Sequence, residues 1–215
     1  MKHVAARRTV AALYQELGQR GLILGSSGNV SVRTKGGMVI TPSGGSPEAV
    51  GPRDLAATTL DGMTADAATP SSEWPMHAAI YRNNQDAACI IHTHADACSA
   101  LACLNEPLPA FHYMVVQFGG VTVPCAPYVT FGTPELAALA AETIQGHSAC
   151  LLANHGMIVQ GPDAATTLAR ALLLESLCRQ YLMARAAGTP RLLSDTELAA
   201  AVERFKTYGP RRAGR

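Results

Sequence analysis

The stretch "CIIHTHADA", residues 89–97, joins a short apolar run to two closely spaced histidines and then to the start of a helical pattern. The apolar run predicts a buried strand, in which successive side chains point to opposite faces. His92 and His94 are two residues apart, so they point to the same face. Two imidazoles need this arrangement to reach one metal ion. The alternative is a pair of polar residues that ends a strand, and the pair alone does not distinguish the two.

Strand and helix patterns alternate on both sides of this stretch. Upstream, "NVSVR" and "GMVITPSG" predict a hairpin after an amphipathic N-terminal helix, and "SSEWPMHAAIYRN" predicts a second helix. Downstream, "ACLLANHGMIVQG" predicts two buried strands around a turn, and helices are predicted from "ADACSALACL", "GTPELAALAAETIQG", residues 162–187 and the segment after Ser194. This order predicts a single three-layer α/β/α domain over residues 1–215, with a central mixed, largely antiparallel sheet.

Composition limits the classes of function. Charged residues make up 15% of the 215 residues, and such a sparsely charged surface leaves room for subunit interfaces. The net charge of +1 argues against a general nucleic-acid binder. We expect no membrane span and no signal peptide, and therefore a cytoplasmic protein. The six cysteines form no CxxC pair, so we expect buried, reduced thiols.

A third metal ligand and a base can be proposed from the same pattern. His155 stands in the turn "NHG" between two predicted strands, and a catalytic zinc uses three protein ligands and one open position. Glu73 stands beside Trp74 in the first turn of a predicted helix, and partial burial there would raise its pKa toward the range useful for proton transfer. The alternatives are ordinary core or loop histidines, and a glutamate that only stabilises the helix N-terminus.

Three segments rich in glycine and serine lie at the ends of predicted elements: "GSSGNVS" (25–31), "TPSGGS" (41–46) and "TPSSE" (69–73). If they converge, free backbone N–H groups and hydroxyls would hold a phosphate without any lysine or arginine. The candidates are Asn29, Ser43, Gly44, Ser71 and Ser72. The alternative is that each segment is an ordinary turn, because none matches a P-loop or a dinucleotide fingerprint.

In their order along nearly the whole chain, these segments resemble the class II aldolase/adducin-type family. The resemblance rests on "GNVSVR", "MVITPSG", "PSSEW", "HTHA", "PAFHYM", "VPCAPYVTFGTPEL", "NHGMIV", "LLSDTEL" and "RFKTYG". Within the family, "HYM", "PCAPYVTFGT" and "FKTYG" are most similar to the fuculose-phosphate aldolase type. The resemblance implies a largely antiparallel α/β/α fold assembled as a C4 homotetramer, with sites at subunit interfaces.

The resemblance also implies roles for individual residues. His92, His94 and His155 would hold one Zn²⁺ per subunit, and Glu73 would be the general acid/base. The phosphate would be bound by Gly28, Asn29, Ser43, Gly44, Ser71 and Ser72. Tyr113 would exchange a proton with the aldehyde oxygen in a neighbouring subunit's site. Phe131 would wall the aldehyde pocket, and Phe205 and Tyr208 would close over the site on a mobile segment covering about residues 205–215.

The implied reaction is reversible cleavage of L-fuculose 1-phosphate, or a closely related ketose 1-phosphate. Its products are dihydroxyacetone phosphate and L-lactaldehyde or another small aldehyde, formed through a metal-stabilised enediolate. A 5-deoxy- or methylthio-pentulose 1-phosphate differs only in the aldehyde half and is an alternative substrate. A pentulose-phosphate 4-epimerase or dehydratase on the same metal site is a further alternative. A non-enzymatic scaffold of the adducin kind is disfavoured, because the three histidines and Glu73 are all present.

Overall fold

The computed structural model describes residues 2–64 and 66–208; the part of the expected mobile segment from residue 209 onward lies outside this range. The helices are α1 (Val4–Gln19), α2 (Trp74–Asn83), α3 (Asp96–Ala102), α4 (Pro134–Thr143), α5 (Ala164–Ala187) and α6 (Asp195–Phe205), with a 3₁₀ helix at Tyr113–Phe118. The strands are β1 (Gly28–Thr34), β2 (Gly37–Ile40), β3 (Ala56–Thr59), β4 (Cys89–Thr93), β5 (Cys125–Ala126), β6 (Ala149–Leu152) and β7 (Gly156–Gly161).

The strands form one sheet in the order β3-β2-β1-β4-β7-β6-β5. Every neighbouring pair is antiparallel except β5 and β6, which run parallel. The predicted mixed, largely antiparallel sheet is therefore confirmed, and β4 lies at its centre. The prediction missed β3 and β5. The first has the sequence "AATT", without a large apolar side chain, and the second has only two residues.

Helices cover both faces of the sheet, which confirms the three layers. On one face, α1, α3 and α5 contribute to an apolar cluster that includes Leu17, Ile91 and Leu174. On the other face, α2 and α4 contribute to a cluster that includes Ile80 and Leu136. Burial of apolar side chains is the main favourable contribution to folding, and here each face of the sheet has its own cluster. The side chains of β4 alternate between the two clusters.

Several local predictions are confirmed in detail. The hydroxyl of Thr133 accepts a hydrogen bond from Leu136 N at the start of α4, and Ser194 with Glu197 forms the capping box of α6. All six cysteines are free, as expected, but only four are buried: Cys103 is exposed and Cys125 is partly exposed. No helix among the described residues is both long enough and apolar enough to cross a membrane.

Candidate metal centre and its cavity

Two imidazoles meet at the C-terminal end of β4. His92 lies within the strand and His94 follows it directly, and their Nε2 atoms are 3.1 Å apart. The prediction that they share one face is confirmed. This is the face covered by α2 and α4, because Ile90, two residues before His92, belongs to the cluster on that side.

The turn between β6 and β7 brings a third imidazole to the same place. Thr93 in β4 pairs with Met157 in β7, so the residue just before β7, His155, lies beside the end of β4. Gly156 makes this approach possible. A Cβ there would collide with the carbonyl oxygen of Thr93 and crowd the ring of His94. The three imidazole rings have centroid separations of 4.8–5.0 Å.

Glu73 completes the cluster from the start of α2. Its Oε2 is 3.1 Å from His92 Nε2, and its Oε1 is 3.3 Å from His155 Nε2. One ligand atom from each of Glu73, His92, His94 and His155 lies within 4.8 Å of the others. Nitrogen and carboxylate ligands in this number are typical of a zinc site.

The bonding of the four groups fits a metal ion. Met157 O can only accept a hydrogen bond, so the 2.8 Å contact requires that Nδ1–H of His92 donates to it. The other ring nitrogen, Nε2, is then directed at the cluster, where it faces Glu73 Oε2 and, once deprotonated, can bind a metal as in metal-binding histidines fixed by a backbone carbonyl. Glu73 Oε1 is buried and has no hydrogen-bond partner among the described residues. A cation or a proton would satisfy this oxygen.

The electrostatics of the cluster correct one expectation. Burial raises the pKa of Glu73, but the charge and hydrogen bond of His92, and the charge of His155, outweigh burial and hold it well below its usual value. The expected rise in the pKa of Glu73 is therefore wrong, because the expectation considered only Trp74 as a neighbour. Burial, together with the charge of His92, lowers the pKa of His94 and of His155 to about 4. Both imidazoles are thus neutral near pH 7, as metal binding requires.

The position of Glu73 also differs from the expected one. It is the N-cap residue of α2 rather than part of the first turn, and its side chain makes no capping hydrogen bond. The carboxylate turns away from the helix it precedes and toward the histidines. Stabilisation of the helix N-terminus is therefore not what holds this side chain in place.

The cluster opens into a cavity of about 490 Å³. All the predicted phosphate residues line it together with Phe131: Gly28, Asn29, Ser43, Gly44, Ser71 and Ser72. The three glycine- and serine-rich segments therefore converge. Sequence reasoning did not single out Ser26, Ser27, Pro42, Tyr128 and Asn154, which also line the cavity. The first three lie within or beside the segments already chosen, and the other two belong to "PYVTFGT" and "NHG".

Backbone groups shape the part of the cavity that is lined by the glycine- and serine-rich segments. Ser43 N donates to Thr69 O, and Ser71 N donates to Thr41 O, which holds the two loops side by side. The N–H groups of Gly44 and Ser72 take part in no hydrogen bond among the described residues. The described lining contains no lysine or arginine. Free amides and hydroxyls are therefore the available donors for an anion.

Asn29 has less freedom than the phosphate prediction assumed. Its Nδ2 donates to Glu73 Oε2 at 2.9 Å, and its Oδ1 contacts His77 Nε2 at 2.5 Å. One N–H of the amide remains for a ligand. Asn29 thus belongs to the support of Glu73 as well as to the cavity wall.

The remaining predicted residues lie elsewhere. Tyr113 begins the 3₁₀ helix, is 49% exposed and stacks on Phe205 with 5.9 Å between ring centroids. Tyr208 packs edge-on against Phe205 at 6.2 Å. None of the three lines the cavity of its own chain. Their action at a site, including that of a neighbouring subunit, stays a prediction.

Comparison with known proteins identifies close relatives. The sequence profile of the family described as "Class II Aldolase and Adducin N-terminal domain" matches residues 8–182. An L-fuculose phosphate aldolase of Escherichia coli O6:H1 is 41% identical, over 91% of this chain and 92% of that protein. A 5-methylthioribulose-1-phosphate/5-deoxyribulose-1-phosphate aldolase of Rhodospirillum rubrum is 38% identical, over 96% and 93%. A solved structure of an L-fuculose 1-phosphate aldolase superposes with a TM-score of 0.91 at 34% identity, covering 96% of this chain and 98% of that chain.

Proposed function

The chain belongs to the class II aldolase and adducin N-terminal domain family and is a metal-dependent aldolase, and we propose that it cleaves a ketose 1-phosphate. The products would be dihydroxyacetone phosphate and a small aldehyde, and the reaction would be reversible. L-Fuculose 1-phosphate, which yields L-lactaldehyde, is the first candidate substrate. We propose that the metal is zinc, one ion per subunit.

One observation supports this proposal above the others. The cluster of Glu73 with three histidines opens into a cavity that is also lined by serine hydroxyls and by the amides of Gly44 and Ser72, which are unpaired within the described residues. A ketose 1-phosphate has a phosphate at one end and adjacent carbonyl and hydroxyl oxygens beside it. Both ends of such a molecule have chemical counterparts in this cavity.

Each group of the chain then has a definite task. When bound, the metal supplies Lewis acidity that stabilises negative charge on the oxygens of the departing ketone. The free amides of Gly44 and Ser72 bind the phosphate and fix the reacting carbon in place. In the direction of synthesis, Glu73 removes a proton from the carbon beside the carbonyl of dihydroxyacetone phosphate. Its Oε1, for which the described part of the chain provides no hydrogen-bond partner, is the oxygen available for that proton.

The aldehyde half involves the aromatic residues. Phe131, which lines the cavity, would wall the aldehyde pocket. We propose a C4 homotetramer in which Tyr113 protonates the aldehyde oxygen in a neighbouring subunit's site during synthesis. Phe205, which stacks on Tyr113, and Tyr208, which packs against Phe205, would close over that site. We also propose that residues 1–215 are one domain and that the protein is cytoplasmic.

A second substrate class has direct support. The R. rubrum relative acts on 5-methylthioribulose 1-phosphate and 5-deoxyribulose 1-phosphate. Its 38% sequence identity to this chain is close to the 41% of the E. coli fuculose-phosphate enzyme. These substrates differ from L-fuculose 1-phosphate in the aldehyde half only. Tyr128 and Phe131 give the cavity wall two exposed aromatic rings, which would suit an apolar methyl or methylthio group.

A substrate panel tests the proposal. Zinc-loaded protein is assayed for release of dihydroxyacetone phosphate from the three ketose 1-phosphates, with and without a chelator. We expect chelator-sensitive cleavage of at least one, and the highest kcat/KM identifies the preferred aldehyde. The matched control is His94→Ala, which removes one metal ligand. Cleavage of none of the three by metal-loaded protein would contradict the proposal and favour an epimerase or dehydratase, which the same samples can be tested for by product analysis.

A further inference from the structure

Behind the metal centre, four buried polar side chains link Glu73 to the core between α2 and β1. They are Asn29, Ser31, His77 and Tyr81, each 3% exposed or less. His77 Nδ1 lies 2.7 Å from Ser31 Oγ, which in turn lies 2.9 Å from Tyr81 Oη. On the other side of its ring, His77 Nε2 contacts Asn29 Oδ1 at 2.5 Å. We call these four residues the support chain.

The chemistry of the partners fixes the direction of every hydrogen bond near Glu73. An ionised carboxylate only accepts, so Asn29 must present its NH₂ group to Glu73 and its carbonyl oxygen to His77. His77 must then carry its proton on Nε2 and accept at Nδ1 from the hydroxyl of Ser31. Burial and the charge of His92 lower the pKa of His77 to about 3, so this single-proton form is the one present near pH 7.

We propose that His77 is a positioning residue for the reaction: through Asn29 it holds Glu73 Oε2 and leaves Oε1 free. Without an N–H donor at position 77, the Asn29 carbonyl oxygen loses the hydrogen bond that holds it on the side away from Glu73, and the amide can rotate. Oε2 would then lose the Asn29 amide, its only neutral donor among the residues that the structure describes. This inference rests on the proposed function, because it assigns a purpose to the orientation of the proposed base.

The geometry favours this role over core filling alone. His77 and Tyr81 are four residues apart on α2, and Asn29 and Ser31 are two apart on β1, so each pair lies on one face of its element. Within the support chain, each contact joins a donor to an acceptor. An apolar side chain at position 77 would fill the same volume in the core and would leave Asn29 and Ser31 without this partner.

The test compares two substitutions of similar size. His77→Phe keeps a planar ring without a donor, and His77→Gln keeps an N–H near the place of Nε2. We expect His77→Phe to lower kcat about 10- to 100-fold, with unchanged KM and unchanged metal content per chain. His77→Gln should restore most of the lost kcat. Equal losses in both variants, or an effect on KM alone, would overturn the proposal.

Two further measurements keep the test decisive. If His77→Phe does not fold, Ser31→Ala takes its place: we expect a lower kcat at unchanged KM, and a wild-type kcat would overturn the proposal.

Crystal structures of both His77 variants need no substrate. We expect the bond from Asn29 Nδ2 to Glu73 Oε2 to be broken in His77→Phe and kept in His77→Gln, and an intact bond in His77→Phe would overturn the positioning role. If the wild type cleaves no ketose 1-phosphate but the bond behaves as expected, the proposed function fails and the positioning role stands.

Discussion

Two glutamates of this protein, Glu73 and Glu175, are equally buried but differ in how their carboxylates are hydrogen-bonded. Each is 7% exposed: Glu73 is the N-cap residue of α2, and the carboxylate of Glu175 lies at the N-terminus of α3. Glu175, from α5, accepts hydrogen bonds from the backbone N–H groups of Ala97 and Cys98 at the start of α3. Its Oε1 also accepts from Arg179 at 2.8 Å. Both oxygens of Glu175 are therefore satisfied.

Glu73 is placed at the start of α2 and does not cap it. One oxygen is held by Asn29, and the other has no hydrogen-bond partner among the described residues. Burying a polar atom without a partner costs free energy. A fold that satisfies Glu175 completely and leaves Glu73 incomplete distinguishes a structural carboxylate from one kept ready for a ligand or a proton. Burial alone would not have separated the two.

The largest expected effect is the loss of kcat when Glu73 is substituted. Glu73→Gln keeps the size and removes the base, so we expect kcat to fall about 10²- to 10⁴-fold. We expect the free energy of unfolding of the metal-free protein to fall, because the substitution removes the carboxylate that His92 and His155 hold in its ionised form. Steady-state kinetics and urea unfolding of the same preparation measure both. A variant that retains the full aldolase rate would exclude Glu73 as the base.

The next largest effect is the loss of stability when Glu175 is substituted. Glu175→Gln places an NH₂ group or a weaker acceptor against two backbone donors, so we expect a loss of about 3 kcal/mol in the free energy of unfolding. Because Glu175 lies outside the described lining of the cavity, kcat per folded, metal-loaded chain should stay unchanged. Glu73→Gln is the matched control. Similar effects of the two variants on kcat would show that the division of roles is wrong.

A smaller effect concerns pH and the residue that supports Glu73. Burial lowers the pKa of His77 from 6.5 to about 3 in the folded protein, so the unfolded chain takes up this proton first as the pH falls. Stability is therefore lost as pH falls below 6.5, by up to about 1.4 kcal/mol per pH unit from this group. His77→Gln should show a shallower decline between pH 6 and pH 5. Parallel urea unfolding series compare the two proteins, and identical slopes would contradict a neutral buried His77.

The smallest expected effect is on stability, when the exposed carboxylate of Glu197 is substituted. Glu197 caps its own helix, α6, as Glu175 caps α3, but in contact with solvent. Water can replace the lost partner there, so we expect Glu197→Gln to shift the unfolding midpoint less than Glu175→Gln does. Thermal melts of the two variants in the same buffer make the measurement. An equal or larger shift would mean that burial does not set the strength of these caps.

Much of this arrangement could be predicted from local sequence. The two-residue period of a strand places His92 and His94 on one face, and the caps at Thr133 and Ser194 follow from residue type and spacing. The convergence of three glycine- and serine-rich segments could be proposed, because loops at one end of a sheet lie close together. These features depend on neighbours within a few residues or on a regular period.

Other features depend on contacts between distant segments. The pKa of Glu73 is set mainly by burial and by His92 and His155, which only the fold brings close. The support chain joins a face of β1 to a face of α2, and sequence patterns show each face but not that the two meet. The strand β3 was missed because its small side chains give no apolar alternation. Local propensity was therefore informative about elements, whereas the tuning of the site required the tertiary structure.

The groups that could hold a metal come from three separate places: the start of α2, the end of β4, and the turn before β7. An unfolded chain scatters them, so an ion binds the native state and not the denatured ensemble. By mass action, each increase in free metal above its dissociation constant then raises the apparent stability. The melting temperature of this enzyme is therefore not a fixed property of the polypeptide. A plot of the melting temperature against free metal concentration is therefore a titration curve for the site.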